Sequence, residues 1–177
     1  MPHKKIENLP IYQKSELIYQ LVESLVASLP KDDDFLESTK EIMRADAMII
    51  SAKIAGAEGG DLYSIRMQNA AIIRDHGMSL YVQVGSLRFQ ENYKDLEYVQ
   101  LIRNEVDEFR LLFIDWVASF DVWNYIKDDW GLFNPPGISA HDKDPDDDIP
   151  FNLDDYLDFN DDDDKDDNDD GDGHGDG

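Results

Sequence analysis

The chain has 177 residues, 40 of them Asp or Glu against 16 Lys or Arg, for a formal net charge of −24. That length suits one domain with an appendage. With no cysteine, disulfides, thiolate zinc sites and thiol catalysis are excluded, and no run of about 20 apolar residues is present to span a bilayer. The charge is concentrated: residues 1–137 carry 22 acidic and 14 basic side chains (net −8), whereas residues 138–177 carry 18 and 2 (net −16). Such a distribution opposes direct nucleic-acid binding, because phosphate contacts need clustered Lys and Arg. It equally opposes docking on an anionic membrane, and it fits a basic protein face or a cation as the partner of the tail. The early apolar run Leu17–Leu29 is broken by Glu23 and lacks a small-residue cleavage site, so it does not read as a signal peptide and a cytoplasmic location is expected.

Residues 1–9 form an N-terminal arm, and a bundle of four helical patterns follows over 10–121. In the first, Pro10 suits the opening helical position, and Ile11, Ile18, Leu21, Val22, Leu25, Val26 and Leu29 keep helical spacing until Pro30. The second carries Phe35, Leu36, Thr39, Ile42, Met43, Ile49, Ile50, Ile54 and Ala57, and the glycines of Ala55–Gly60 predict a sharp reversal. Asp61 is placed to cap the third, whose stripe is Leu62, Ile65, Asn69, Ile72, Ile73, His76, Leu80, Val84 and Leu87. Gly77 and Gly85 weaken that helix and leave room for a neighbouring backbone. The fourth, within Tyr93–Asp121, alternates steps of three and four through Val99, Ile102, Val106, Phe109, Phe113, Trp116 and Phe120. No alternating segment is long enough for a sheet. The expected fold is all-α, an up-down-up-down four-helix bundle with a disordered acidic C-terminal tail.

Residues 122–137 read as an aromatic flap, with Trp123, Tyr125, Trp130 and Phe133 either closing the bundle end or offered to a sister subunit or partner. Pro135-Pro136-Gly137 then closes the ordered part, and residues 138–177 are the Asp-rich tail. Inside it, Asp146, Asp147, Asp148, Ile149, Pro150 and Phe151 precede Leu153, Tyr156, Leu157 and Phe159, so apolar anchors are interleaved with carboxylates over 146–159. Such a segment either docks aromatics in a pocket rimmed by Lys and Arg or simply solubilises the chain.

Catalytic and metal chemistry lack their usual residues. A di-metal carboxylate bundle needs Glu-x-x-His pairs; His76 has none and reads as a hydrogen-bonded core histidine. Asp166-x-Asn168-x-Asp170-Gly171 matches the first half of a calcium loop, but Gly177 stands where the bidentate Glu belongs. There is no phosphate-cradling loop and no nucleophile elbow. Neither enzyme activity, nor a metal, nor a cofactor is expected.

The stretch Ile11-Tyr12-Gln13-Lys14, the segment Ile50-Ser51-Ala52-Lys53-Ile54-Ala55 with Glu58-Gly59 after it, and the long third and fourth helices carry a resemblance. Over about 11–120 the chain resembles the four-helix-bundle family of 23S rRNA intervening-sequence proteins, which includes the accessory protein of diversity-generating retroelements. Lys53 stands where that family has Asn, and Gly56-Ala57 separate Ala55 from Glu58, so the likeness is to a divergent, acidic branch. The resemblance implies a non-enzymatic homo-oligomeric ring, typically a pentamer. Separately, Asp146–Phe151 is similar to the acidic tip of bacterial single-stranded-DNA-binding protein, which ends in the same six residues. That likeness implies recruitment of a DNA-maintenance enzyme, with Phe151 filling a pocket, although here Phe151 is followed by Asn152.

The reading favoured by these features is an oligomeric scaffold that recruits a basic protein through its acidic-aromatic tail. The alternatives are an accessory factor for RNA or a polymerase acting through the bundle surface, which needs Lys40, Arg44, Lys53, Arg66, Arg74, Arg88, Arg103 and Arg110 to cluster, and a structural module with a solubility tail.

Overall fold

The computed structural model describes residues 6–31, 34–91, 93–144 and 148, the side chain of Phe35 lying outside that set. Four helices follow one another: α1 (Pro10–Ser28), α2 (Asp34–Gly60), α3 (Tyr63–Ser86) and α4 (Leu96–Ala118), with a short 3-10 turn at Leu87–Phe89. Among the described residues there is no strand. Each helix packs on its two neighbours in the order α1–α2–α3–α4–α1, and neither diagonal pair packs comparably, which is the square of an up-down-up-down bundle. Packing is most extensive between α2 and α3 and least between α3 and α4. The bundle and the loop that follows it, as far as Asp142, form one compact unit. No described helix is long and apolar enough to cross a membrane.

Local chemistry explains the helix ends. Pro10 opens α1, where its missing N–H costs nothing, and the extended Leu29 before Pro30 closes it. Asp95 caps α4 by accepting from the Tyr98 N–H at 3.1 Å. The core is the inner seam: Ile18, Val22 and Leu25 from α1, Met43, Ile50 and Ile54 from α2, Ile73, Leu80 and Val84 from α3, and Ile102 from α4 are all buried. A seam of this type interdigitates at shallow crossing angles.

Two helices depart from their expected stripes. Ile42 on α2 and Ile65 on α3 face solvent, 42% and 40% exposed, while Lys40, Asp46, Ser51 and Arg66 are buried. Each buried polar group has a partner that explains its place. Lys40 donates to the Pro30 carbonyl at 2.6 Å and to Glu37, Ser51 donates to Ser15 at 2.9 Å, and Asp46 meets His76 Nδ1 at 2.7 Å. Across the α1–α4 seam, Lys14 bridges Glu105 and Glu108, both at 2.6 Å. Its hydrogen bond with Glu105, then that with Glu108, holds the ammonium above the ordinary lysine value. The stability that these two ion pairs add is therefore fully present below the ordinary lysine pKa and is lost as pH rises through the higher folded value.

The reversal between α2 and α3 is not made by the glycine run. The helix continues through Gly60, and the chain turns at Asp61, whose φ is +48°. Asp tolerates the left-handed region better than most residues because its short side chain bonds locally. Here Asp61 Oδ1 accepts from Arg66 Nη1 at 2.8 Å, so it serves the turn and does not cap α3, whose N-cap is Leu62. Gly85 likewise admits a side chain, not a backbone: a Cβ there would collide with the Arg103 guanidinium. That guanidinium donates to the Tyr81 carbonyl at 2.9 Å and stacks 3.6 Å from the Tyr81 ring centre.

Arg66 holds the end of the bundle where α2, α3 and α4 meet. Its guanidinium pairs with Glu58 and Asp61 and lies 4.2 Å from the Phe120 ring centre. Glu58 also accepts from the indole N–H of Trp116 at 2.8 Å, and Trp116 meets Phe120 edge-on at 4.7 Å. Removing one member leaves buried polar groups without partners, which typically costs several kcal/mol. Glu58→Ala is expected to lower unfolding stability by about 3 kcal/mol in urea titration. A change below about 0.5 kcal/mol, the level of an exposed ion pair, would contradict this account.

Candidate interaction surface

The site is built on the chain that leaves α4. Ser119 ends the helix, and Asp121 Oδ1 accepts from the Trp123 N–H at 2.9 Å. The next residues are stitched to the start of α3. The Tyr63 N–H donates to the Asn124 carbonyl at 2.7 Å, Ser64 Oγ donates to the Ile126 carbonyl at 2.9 Å, and Asn124 Nδ2 donates to the Asp61 carbonyl at 2.7 Å. An α-helix begins with four unpaired N–H groups, and α3 has no side-chain cap. Backbone from beyond α4 supplies one of the missing acceptors.

Beyond Ile126 the loop is organised by Asp128. Its carboxylate accepts from the N–H groups of Trp130 at 3.0 Å, Leu132 at 2.9 Å and Phe133 at 2.9 Å. Asn134 completes the ring: its Oδ1 accepts from the Asp128 N–H at 2.7 Å and its Nδ2 donates to the Asp128 carbonyl at 2.8 Å. Gly131 has φ +71°, and a Cβ there would stand 3.3 Å from that of Ala140, so only glycine fits the bend. The hydrogen-bonded chain continues past Gly137, where the tail is expected to begin, through a turn in which Ser139 and Asp142 bond each other. Lys127 Nζ donates to the Asp142 carbonyl at 2.9 Å.

This framework leaves large apolar side chains in water. Trp123 is 86% exposed, Trp130 90% and Leu132 75%, whereas Tyr125 and Phe133 are half-buried. The backbone of the flap is thus bonded to the bundle end while its outer tryptophans stay in water. An aromatic ring removes about 150–250 Å² from water when it is covered.

No protein-family model, no curated protein and no solved structure matches this chain.

Of the docking segment 146–159, only Asp148 is among the described residues, where it pairs with Lys143 at 2.5 Å. Asp146, Asp147, Ile149, Pro150, Phe151, Leu153, Tyr156, Leu157 and Phe159 lie outside them. The basic residues that the nucleic-acid alternative needs come from α2, α3, α4 and the turn at Leu87–Phe89. Lys40, Arg44 and Arg66 are each bound by their own acids, Arg88 and Arg103 sit around Gly85, and Arg74 and Arg110 line a separate groove. Among the described residues no three His, Cys, Asp or Glu are grouped to hold a metal ion. His76 is half-buried against Asp46, as its place on an apolar stripe suggests, and Asp46 Oδ2 has no partner among the described residues.

Sequence reasoning names Trp130 but misses Asp128, the residue that holds it. A signal exists: Asp128 and Asn134 bracket Trp130-Gly131, and Asx side chains bond their own following backbone in such turns. The Phe133 N–H foremost, then those of Trp130 and Leu132, holds the Asp128 carboxyl below its ordinary value of 3.8. The loop is therefore fully tied above the ordinary carboxylate value and loosens as pH falls through the lower folded one. Asp128→Ala is expected to speed amide exchange at Trp130, Leu132 and Phe133 while leaving α1–α4 protected. Unchanged exchange at these three amides would refute the role given to Asp128.

Proposed function

We propose that this chain is a non-enzymatic, cytoplasmic adapter that associates with copies of itself and recruits a basic protein partner through its C-terminal surface. One observation carries the reading: Trp130, 90% exposed, sits on a loop whose backbone is fixed by five hydrogen bonds through Asp128 and Asn134. An indole kept in water on a mobile loop would lose chain entropy on binding. One already held in place binds without that cost, and tryptophan is the side chain most enriched among residues that dominate interface energy.

Charge selects the partner class. Asp121, Asp128 and Asp129 stand within two residues of Trp123 or Trp130 in the sequence, and the 18 acidic residues of 138–177 follow. A partner with an apolar pocket rimmed by Lys and Arg complements both features. The likeness of Asp146–Phe151 to the acidic tip of single-stranded-DNA-binding protein favours a DNA-maintenance enzyme as that partner. The likeness of residues 11–120 to the intervening-sequence proteins supports self-association, and multiple copies would raise the effective concentration of each recruiting surface.

Nuclease-treated extract passed over the full chain is expected to yield a basic protein. Trp130→Ser should weaken its retention about thirtyfold, the equivalent of about 2 kcal/mol for an interface hot spot, with no change in the unfolding midpoint. Equal retention by the wild type, Trp130→Ser and a chain ending at residue 142 would remove the loop and the tail alike from the function.

A further inference from the structure

The α3–α4 side of the bundle carries a feature that the recruiting loop does not use. α3 is apolar on two sides: Ile73, Leu80 and Val84 face the core, while Met78 and Val82 face outward, 54% and 62% exposed. Large apolar side chains left together in water mark a surface that another one covers. Across from α3, on α4, Leu111 and Ile114 are also outward, 58% and 53% exposed. Between these ridges lies a groove of about 540 Å³, floored by Ile73, Tyr81, Phe109 and Phe113. It exists because α3 and α4 are the least intimately packed neighbours in the bundle. Gly77 widens it, since a Cβ there would meet nothing within 4 Å.

The charges on this groove differ from those of the rest of the molecule. Its lining carries Arg74, Arg110 and Asp107, and Arg74 pairs with the neighbouring Asp75 at 3.2 Å, so the groove is close to neutral in a chain of net −24. Two copies of so acidic a protein repel over most of their surfaces, and a near-neutral face weakens that repulsion. Asp107, half-exposed, and Arg110, exposed, are one helical turn apart on α4 and only loosely engaged with each other at 3.8 Å. Opposite charges one turn apart are self-complementary: a two-fold axis crossing α4 between them sets Arg110 of each copy against Asp107 of the other.

We propose that a second copy of this chain covers the α3–α4 groove in a two-fold, antiparallel pairing. In it, Met78, Val82 and Ile114 of each copy close over the opening of the other, and two Arg110–Asp107 pairs fix the register. The proposal rests on the self-association contained in the adapter reading and names its surface.

Sedimentation of the full chain tests it. The wild type is expected at twice the 20.3 kDa of one chain. Val82→Glu and Arg110→Asp should each raise the dimer dissociation constant at least about tenfold, with circular dichroism unchanged. The double exchange Asp107→Arg with Arg110→Asp restores opposite charges across a two-fold axis and should recover the pair. A single-chain mass for the wild type at every concentration overturns the proposal, as does a five-chain mass, or a double exchange no better than Arg110→Asp alone. Trp130→Ser should leave the two-chain mass intact. Loss of partner capture in that variant alone therefore reports on the adapter reading, and loss of dimer in the groove variants alone reports on the pairing.

Discussion

A guanidinium has to be neutralised when it leaves water, and at Arg66 that requirement draws three helices together. Only 8% of the residue is exposed, so its charge is met by Glu58 from the last turn of α2 and Asp61 from the turn that follows. Its flat face is met by Phe120, just past α4. Glu58 is shared with Trp116, which fixes the rotation of α4 against α2. A buried ion pair is weak evidence of net stability, but it is demanding about geometry. Here it sets where three chain segments must stand at one end of the bundle.

The C-terminal loop inherits that placement. Phe120 is held by Arg66 and Trp116, so the next residues emerge beside the unpaired N–H groups of α3, where the Asn124 carbonyl accepts from the Tyr63 N–H and the Ile126 carbonyl from the Ser64 hydroxyl. From there Asp128 needs only local bonds to shape the loop. The hierarchy runs from a buried charge, through a borrowed helix cap, to an exposed tryptophan. Each level depends on the one below, and none of the loop's anchoring bonds uses the rings that it displays.

How much of this is legible in the sequence depends on whether a residue's partner is near in the chain. The stripes of α1 and α4 are read directly from periodicity because their expected positions fall on the face that the core accepts. α2 and α3 are read less well. Ile42 and Ile65 look like core positions by spacing, yet Lys40, Asp46, Ser51 and Arg66 are the ones buried. Their partners lie on other elements: Asp46 with His76, Ser51 with Ser15, Lys40 with the Pro30 carbonyl just past α1. Periodicity measures apolar moment and is blind to a polar residue with a distant partner. The outward apolar face of α3 is hidden for a related reason, since an apolar residue off the main stripe reads as noise until the opposing ridge of α4 is seen beside it. The aromatic residues of the flap are visible at once, but their exposure follows from backbone bonds that no composition argument contains.

The chain holds three tryptophans, and only Trp116 is buried, its indole N–H bound to a carboxylate. Trp123 and Trp130 already sit in water in the folded state. The intrinsic fluorescence of the native protein is therefore dominated by hydrated indoles and resembles that of an unfolded chain before any denaturant is added. A melting curve followed by emission would register chiefly the fate of one ring at the end of the bundle. The same optics make the two outer indoles a native reporter: anything that covers them must blue-shift a signal that the rest of the fold hardly disturbs.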